Sequence, residues 1–134
     1  MLYAGIDIGS TAAKAVILSE DKSAVIARHI MPSGWNSRET AGAILLWIES
    51  QGYSRGDLRI TATGYGRVSV PYADGTLTEI TCHGKGAAFL GGNDLTVIDI
   101  GGQDTKVIVL KAGTISNMFE IMEMVTGADN TLIF

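Results

Sequence analysis

A single cysteine, Cys82, stands in this chain of 134 residues. One thiol excludes an intramolecular disulfide framework and any multi-cysteine metal site built within one chain. Lys and Arg number only 10 against 14 Asp and Glu, a net charge of −4, so the electrostatic footprint of a nucleic-acid binder is missing. No apolar run reaches the roughly 18–20 residues that cross a bilayer. Met1-Leu2-Tyr3-Ala4 leads straight into a strand pattern, without the basic start of a signal peptide. These absences predict a reduced, cytoplasmic protein with no nucleic-acid or membrane partner. Prolines are also few, at 2, whereas glycine reaches 17, where average usage gives about nine. Hydrophobic residues make up 46% of the chain, enough for a core, which excludes intrinsic disorder.

The glycines are not low-complexity. Gly9, Gly64, Gly66, Gly84, Gly86, Gly101 and Gly102 fall where a strand or helix is predicted to begin or end. Some of them belong to an internal repeat. Residues 6–18, IDIGSTAAKAVIL, align without a gap on residues 98–110, IDIGGQDTKVIVL. Identities fall at Ile6/Ile98, Asp7/Asp99, Ile8/Ile100, Gly9/Gly101, Lys14/Lys106 and Leu18/Leu110. Each copy reads as a strand ending in Asp-Ile-Gly, a tight polar turn and a second β-branched strand, which together make a hairpin. Apolar–Asp–apolar–Gly closes many hairpins, so one copy alone is weak; two in register with the same lysine are stronger. Two such hairpins facing each other form a phosphate clamp. Backbone N–H groups approach phosphoryl oxygens where no Cβ intervenes, and the two carboxylates hold a hydrated Mg²⁺.

Between the copies, strands are predicted over 2–8, 12–19 and 24–31. Ala41, Ile44, Leu45, Trp47 and Ile48 recur at three- and four-residue spacing, which predicts a helix from Ser37 to Gly52. A strand over 58–63, a loop over 64–67, a short strand over 77–81 and a small-residue helix over 82–90 follow. Strands over 94–100, 105–110 and 114–119 end the pattern. The order is βββ-α-β-(α)-β-α and then ββ(β), an α/β fold with one domain over 1–92 and a second begun over 93–134.

Four segments taken together carry a resemblance: Gly5-Ile6-Asp7-Ile8-Gly9-Ser10-Thr11, Ala62-Thr63-Gly64-Tyr65-Gly66-Arg67, residues 79–87 (EITCHGKGA) and residues 97–104 (VIDIGGQD). The chain resembles the activators of 2-hydroxyacyl-CoA dehydratases and the ATPase subunits of benzoyl-CoA reductase, within the actin, Hsp70 and sugar-kinase superfamily. That resemblance implies a ribonuclease H-like βββαβαβα nucleotide-binding domain, followed by the first hairpin and strands of a second, incomplete copy. It also implies a homodimeric ATPase with one [4Fe–4S] cluster held by two cysteines from each subunit. ATP hydrolysis there pushes a low-potential electron into a partner dehydratase or reductase. Carried over by residue, Gly9, Ser10 and Thr11 form the first phosphate loop and Gly101, Gly102 and Gln103 the second. Asp7 and Asp99 orient Mg²⁺ through water, Lys14 reaches a phosphate, and Glu79 polarises the attacking water of ATP hydrolysis, leaving ADP.

The chain then departs from the family pattern. Where the family continues Asn-x-x-Cys-Ala-Ala-Gly-Thr-Gly, with the Cys a cluster ligand, residues 119–130 read FEIMEMVTGADN and hold no cysteine. Cys82 stands at a non-ligand position and reads as a small buried thiol. No iron–sulfur ligand is therefore expected, and a truncated, inactive or weakly active form with poor nucleotide affinity is, because one wall of the purine pocket is missing. A small-molecule kinase and a non-catalytic oligomerising fragment are the alternative readings. His83 is either a functional base or a capping or core partner, and His29 a surface cross-strand partner. Tyr65 and Arg67 contact nucleotide or partner, or are simply carried by a surface loop. Trp35 and Trp47 read as packing residues. Asp104 either adds a carboxylate to the phosphate site or caps its turn. The strands near 105–119, or the apolar tail after Phe119 (Ile121, Met122, Met124, Val125, Leu132, Ile133, Phe134), are expected to bury their apolar side against another chain in a homo-oligomer, most simply a two-fold dimer.

Overall fold

The computed structural model describes the backbone of residues 1–101, 104–121 and 130–133, and side chains as far as Phe119. The chain forms two compact units, Met1–Leu77 and Thr78–Phe134. In the first unit, β1 (Leu2–Ile8), β2 (Ala12–Leu18), β3 (Val25–Pro32), β4 (Leu58–Thr63) and β5 (Gly75–Thr76) make one sheet in the order β3-β2-β1-β4-β5. β1 runs antiparallel to β2 and parallel to β4. A parallel return needs a crossover, and α1 (Ser37–Ser50) supplies it. This is the ribonuclease H-like strand order that the resemblance implies.

Period-two burial sets the faces of this sheet. Ala4, Ile6 and Ile8 of β1, Ala13, Ala15 and Ile17 of β2, and Leu58, Ile60 and Ala62 of β4 are buried beneath Ala41, Ile44 and Ile48 of α1. Each of those isoleucines contributes about 1.5–3 kcal/mol by leaving water. The Asn36 side chain accepts from the amides of Arg38 and Glu39 and starts the helix. Gly52, at φ +90°, stops it. Trp47 is half-buried on α1 and stacks on His29 of β3, with ring centroids 5.1 Å apart. Trp35 is fully exposed, so its expected packing role does not hold. It precedes the Asn36 cap, outside the face that α1 turns to the sheet.

Two predicted elements differ. The second helical segment of the first unit is a single 3-10 turn over Arg67–Ser69. The strand predicted over 77–81 is replaced by β5 at Gly75–Thr76, and α2 (Glu79–Gly91) begins where strand was expected. Pairing ends because Leu77 is already tied down: its N–H donates to Ala62 O, and its carbonyl accepts from Thr63 Oγ1. Thr78 is extended at the N-cap, and Glu79 places an acid in the first helical turn, where the helix dipole favours it.

In the second unit, β6 (Leu95–Ile100), β7 (Thr105–Lys111), β8 (Thr114–Ile121) and β9 (Asn130–Ile133) form an antiparallel sheet in the order β8-β7-β6-β9. Ala87 of α2 is buried with Leu95, Val97, Ile108 and Leu110. A Cβ at Gly84 would come 3.2 Å from Ile115 Cδ1, so the helix lies close on the strands. α2, expected to close the first domain, thus packs within the second unit, and Gly92 is its C-cap at φ +101°. β9 pairs with β6 of its own chain. Among the described residues, no helix is long and apolar enough to cross a membrane.

The end of the first sheet is locked by one polar network. Arg55 donates to Tyr72 O (2.6 Å), Leu58 O (2.9 Å) and Asp74 Oδ1 (2.6 Å). Asp74 Oδ2 accepts from the Ile60 amide at 2.7 Å. The Tyr72 hydroxyl donates to Ala41 O in α1, and burial pushes that phenol up to about 12. The Ile60 amide first, then Arg55, hold the Asp74 carboxyl below its ordinary 3.8. A depressed carboxylate contributes stability above its ordinary pKa, and the contribution is lost as pH falls through the folded value. Asp74→Asn should therefore lower the melting temperature at pH 7 and flatten the loss of stability below pH 3.8. An unchanged acid slope in thermal melts would contradict this.

Candidate functional site

At the end of β1 the first turn is built around one glycine. The Gly9 N–H donates to Ala12 O at 3.1 Å, and a Cβ at Gly9 would sit 2.9 Å from that same oxygen. Ser10 and Thr11 are exposed at the tip. Asp7 lies opposite Lys14 across the ladder, with Lys14 Nζ 3.5 Å from Asp7 Oδ2. Ser33 secures the turn from the side: its hydroxyl donates to Gly9 O at 2.6 Å and its amide to Thr11 O at 3.1 Å. Nothing in the sequence pointed to Ser33.

The 64–67 loop closes over the end of β1. The Gly66 N–H donates to Ile8 O at 2.9 Å. Gly64, at φ +89°, leaves no room for a side chain: a Cβ would overlap Asp7 Oδ1 and come 2.5 Å from Ile8 O. At Gly66 a Cβ would stand 2.7 Å from Ser37 Oγ at the start of α1. Both glycines thus exist for close approach to the strand that carries Asp7. Arg67 Nη1 donates back to Gly64 O at 3.0 Å, and Tyr65 is exposed.

The second turn uses the same bond, Gly101 N–H to Asp104 O at 2.8 Å, and Asp99 opposes Lys106 as Asp7 opposes Lys14. Gly102 and Gln103 lie outside the described residues. The surroundings differ, however. Asp99 and Lys106 stand on the buried face, in line with Val97 and Ile108, and Asp99 is only 8% exposed. Buried charges persist only when they are paired. His83 Nδ1 meets Asp99 Oδ2. Lys106 Nζ lies 2.9 Å from Asp104 Oδ2 and 3.6 Å from Glu79 Oε2. Glu79 is the first residue of α2, and Cys82 is half-buried. Within this unit the structure brings Glu79, His83, Asp99, Asp104 and Lys106 together; within the other it gathers Asp7, Gly9 and Lys14.

The BadF/BadG/BcrA/BcrD ATPase family matches residues 4–129. The chain belongs to that family. It is 43% identical over 115 residues to the (R)-2-hydroxyglutaryl-CoA dehydratase activating ATPase of Acidaminococcus fermentans, covering 84% of this chain and 44% of that protein. The 2-hydroxyisocaproyl-CoA dehydratase activator of Clostridioides difficile is 37% identical over 111 residues, covering 82% and 41%. The crystal structure of the A. fermentans dehydratase component A matches with a TM-score of 0.82 at 38% identity, over 92% of this chain and 48% of that one. The C. difficile activator with bound ADPNP matches at 0.80 and 34%, over 92% and 46%. The chain spans less than half the length of these relatives.

The resemblance to the dehydratase activators implies three groups, a nucleotide phosphate, Mg²⁺ and a cluster, against which the residues present can be tested. A phosphate would meet the first turn at its exposed tip, Ser10 and Thr11, because the Gly9 N–H is already bonded to Ala12 O. Mg²⁺ is a hard ion that keeps several waters and takes one or two carboxylates, so the single Asp beside each turn suits it. A [4Fe–4S] cluster does not fit: it takes four thiolates, and each chain has only Cys82.

Proposed function

We propose that this chain supplies phosphate-binding turns of an ATPase that activates a CoA-ester dehydratase or reductase. The observation that carries the reading is the turn found twice: an Asp–Lys rung, then a glycine N–H closing onto a carbonyl three residues on. Family membership, the dehydratase activators among the relatives and the ADPNP in the C. difficile structure support it over a small-molecule kinase or a non-catalytic fragment. In this reading Gly9, Ser10 and Thr11 bind phosphate in one turn, and Gly101, Gly102 and Gln103 in the other. Lys14 adds a cation, and Asp7 and Asp99 orient Mg²⁺ through water. When bound, that ion neutralises phosphate charge and orients the phosphoryl group. Glu79 aligns the attacking water and accepts its hydrogen bond. Phosphoryl transfer asks for such positioning more than for covalent chemistry. A cytoplasmic location goes with this reading.

Titration calorimetry with Mg·ATP tests it. Binding should depend on Mg²⁺, and Asp7→Asn and Asp99→Asn should each weaken it by about 1–3 kcal/mol. No binding, or binding indifferent to both substitutions, would overturn the reading.

The chain also forms a homodimer in this account. Ile98, Ile100, Val107 and Val109 share the β6–β7 face opposite α2 and are only partly buried, and Phe119 lies exposed on the edge strand β8. A sheet face and an open edge of that kind favour pairing with a second copy. Sedimentation at low micromolar concentration should give a dimer; a clean monomer would contradict it.

A further inference from the structure

We propose that His83 is a positioning residue: its Nδ1–H holds the Asp99 carboxylate in the orientation that the second turn uses for Mg·nucleotide. The inference rests on the phosphate-binding reading above and assigns to that site a residue outside its loops.

Geometry carries the argument. Asp99 and Lys106 are direct partners on one rung of the β6–β7 ladder. Side chains facing each other on such a rung are about 4.5–5.5 Å apart at Cβ. Residues four apart on a helix are separated by about 5–6 Å. Glu79 and His83 are such a pair on α2, and each meets the rung member it can bond: His83 with Asp99, Glu79 with Lys106. The helix therefore reads the rung as a matched set. Its depth is fixed next door, where Gly84 lies so close to β8 that a Cβ would come 3.2 Å from Ile115 Cγ1 and Cδ1.

The first hairpin is an internal control. Its equivalent rung, Asp7 and Lys14, points to the face opposite the buried Ile6 and Ile8, and the two side chains meet each other at 3.5 Å. Asp99, by contrast, is on the covered face and 8% exposed. A buried carboxylate needs a donor, and the donor decides how its plane is turned. A neutral imidazole that donates from Nδ1 has Nε2 as its acceptor. Asp99 thus selects the Nδ1–H tautomer of His83, while His83 fixes the carboxylate. Lys106 acts likewise on Glu79, bridging it to Asp104.

Two measurements on the full chain test the proposal. Long-range ¹H–¹⁵N spectra of the imidazole should show His83 as the Nδ1–H tautomer, reverting to the usual Nε2–H mixture in Asp99→Ala. Mg·ADPNP affinity should fall about tenfold or more in His83→Ala, as for loss of a partner behind a metal-orienting carboxylate. His83→Asn, whose amide nitrogen can stand where Nδ1 does, should bind almost as the wild type; His83→Gln, whose amide reaches further, should not. This contrast also serves if His83→Ala fails to fold, and a merely structural residue would not produce it. A wild-type Nε2–H tautomer, or Mg·ADPNP affinity equal across Ala, Asn and Gln, overturns the proposal. A wild type with the Nδ1–H tautomer that binds no Mg·ADPNP instead overturns the nucleotide reading, and the positioning role falls with it.

Discussion

One rung of β-ladder, used twice, constrains everything else. In each unit an aspartate faces a lysine across an antiparallel pair, and two residues later a glycine N–H closes the turn. The glycine cannot be exchanged in the first turn without driving a Cβ onto the carbonyl it bonds. Because the strand must end there, the flanking strands bury one alternating face, and that face then demands a covering helix. The turn fixes where each hairpin ends and which residues face each other across it, but not which face its helix covers.

The two units answer the demand differently. α1 covers the face of Ile6 and Ile8, which leaves Asp7 on the other side with Lys14 beside it. α2 lies on the face of Val97 and Ile108, which puts Asp99 and Lys106 under the helix. Identical motifs therefore carry carboxylates in unlike environments, one half-exposed and one buried. The buried pair is tolerable only because α2 brings an imidazole and a carboxylate at matching spacing; removing one partner of such a set leaves an uncompensated charge. A glutamate at the helix start and a histidine one turn later thus belong to the same constraint as the turn itself.

Much of this was legible in the sequence. The hairpins and the α1 stripe rest on local periodicity and on a repeat, which survive folding, and the strand order was implied by the resemblance. What was missed depends on distant contact. Ser33 is an ordinary serine until Gly9 O lies beside it, and Gly64 and Gly66 were legible as positions of close approach without β1 being legible as what they approach. The start of α2 was misread because Ile80 and Thr81 are β-branched and mimic a strand, although pairing had already ended at Leu77. The face that covers Asp99 could not be read at all, since an identical Asp-Ile-Gly stands in both hairpins. His83 accordingly had no assigned partner, and Trp35 was placed inside by composition alone.

The claim on which the rest depends is that each of these turns responds to nucleotide phosphate. Residue-resolved amide shifts during titration with Mg·ADPNP test it most directly. The account predicts shifts at the amides of Gly9, Ser10 and Thr11 and at those of Gly101 and Asp104. A turn that does not respond, or a response centred elsewhere in the chain, would contradict it.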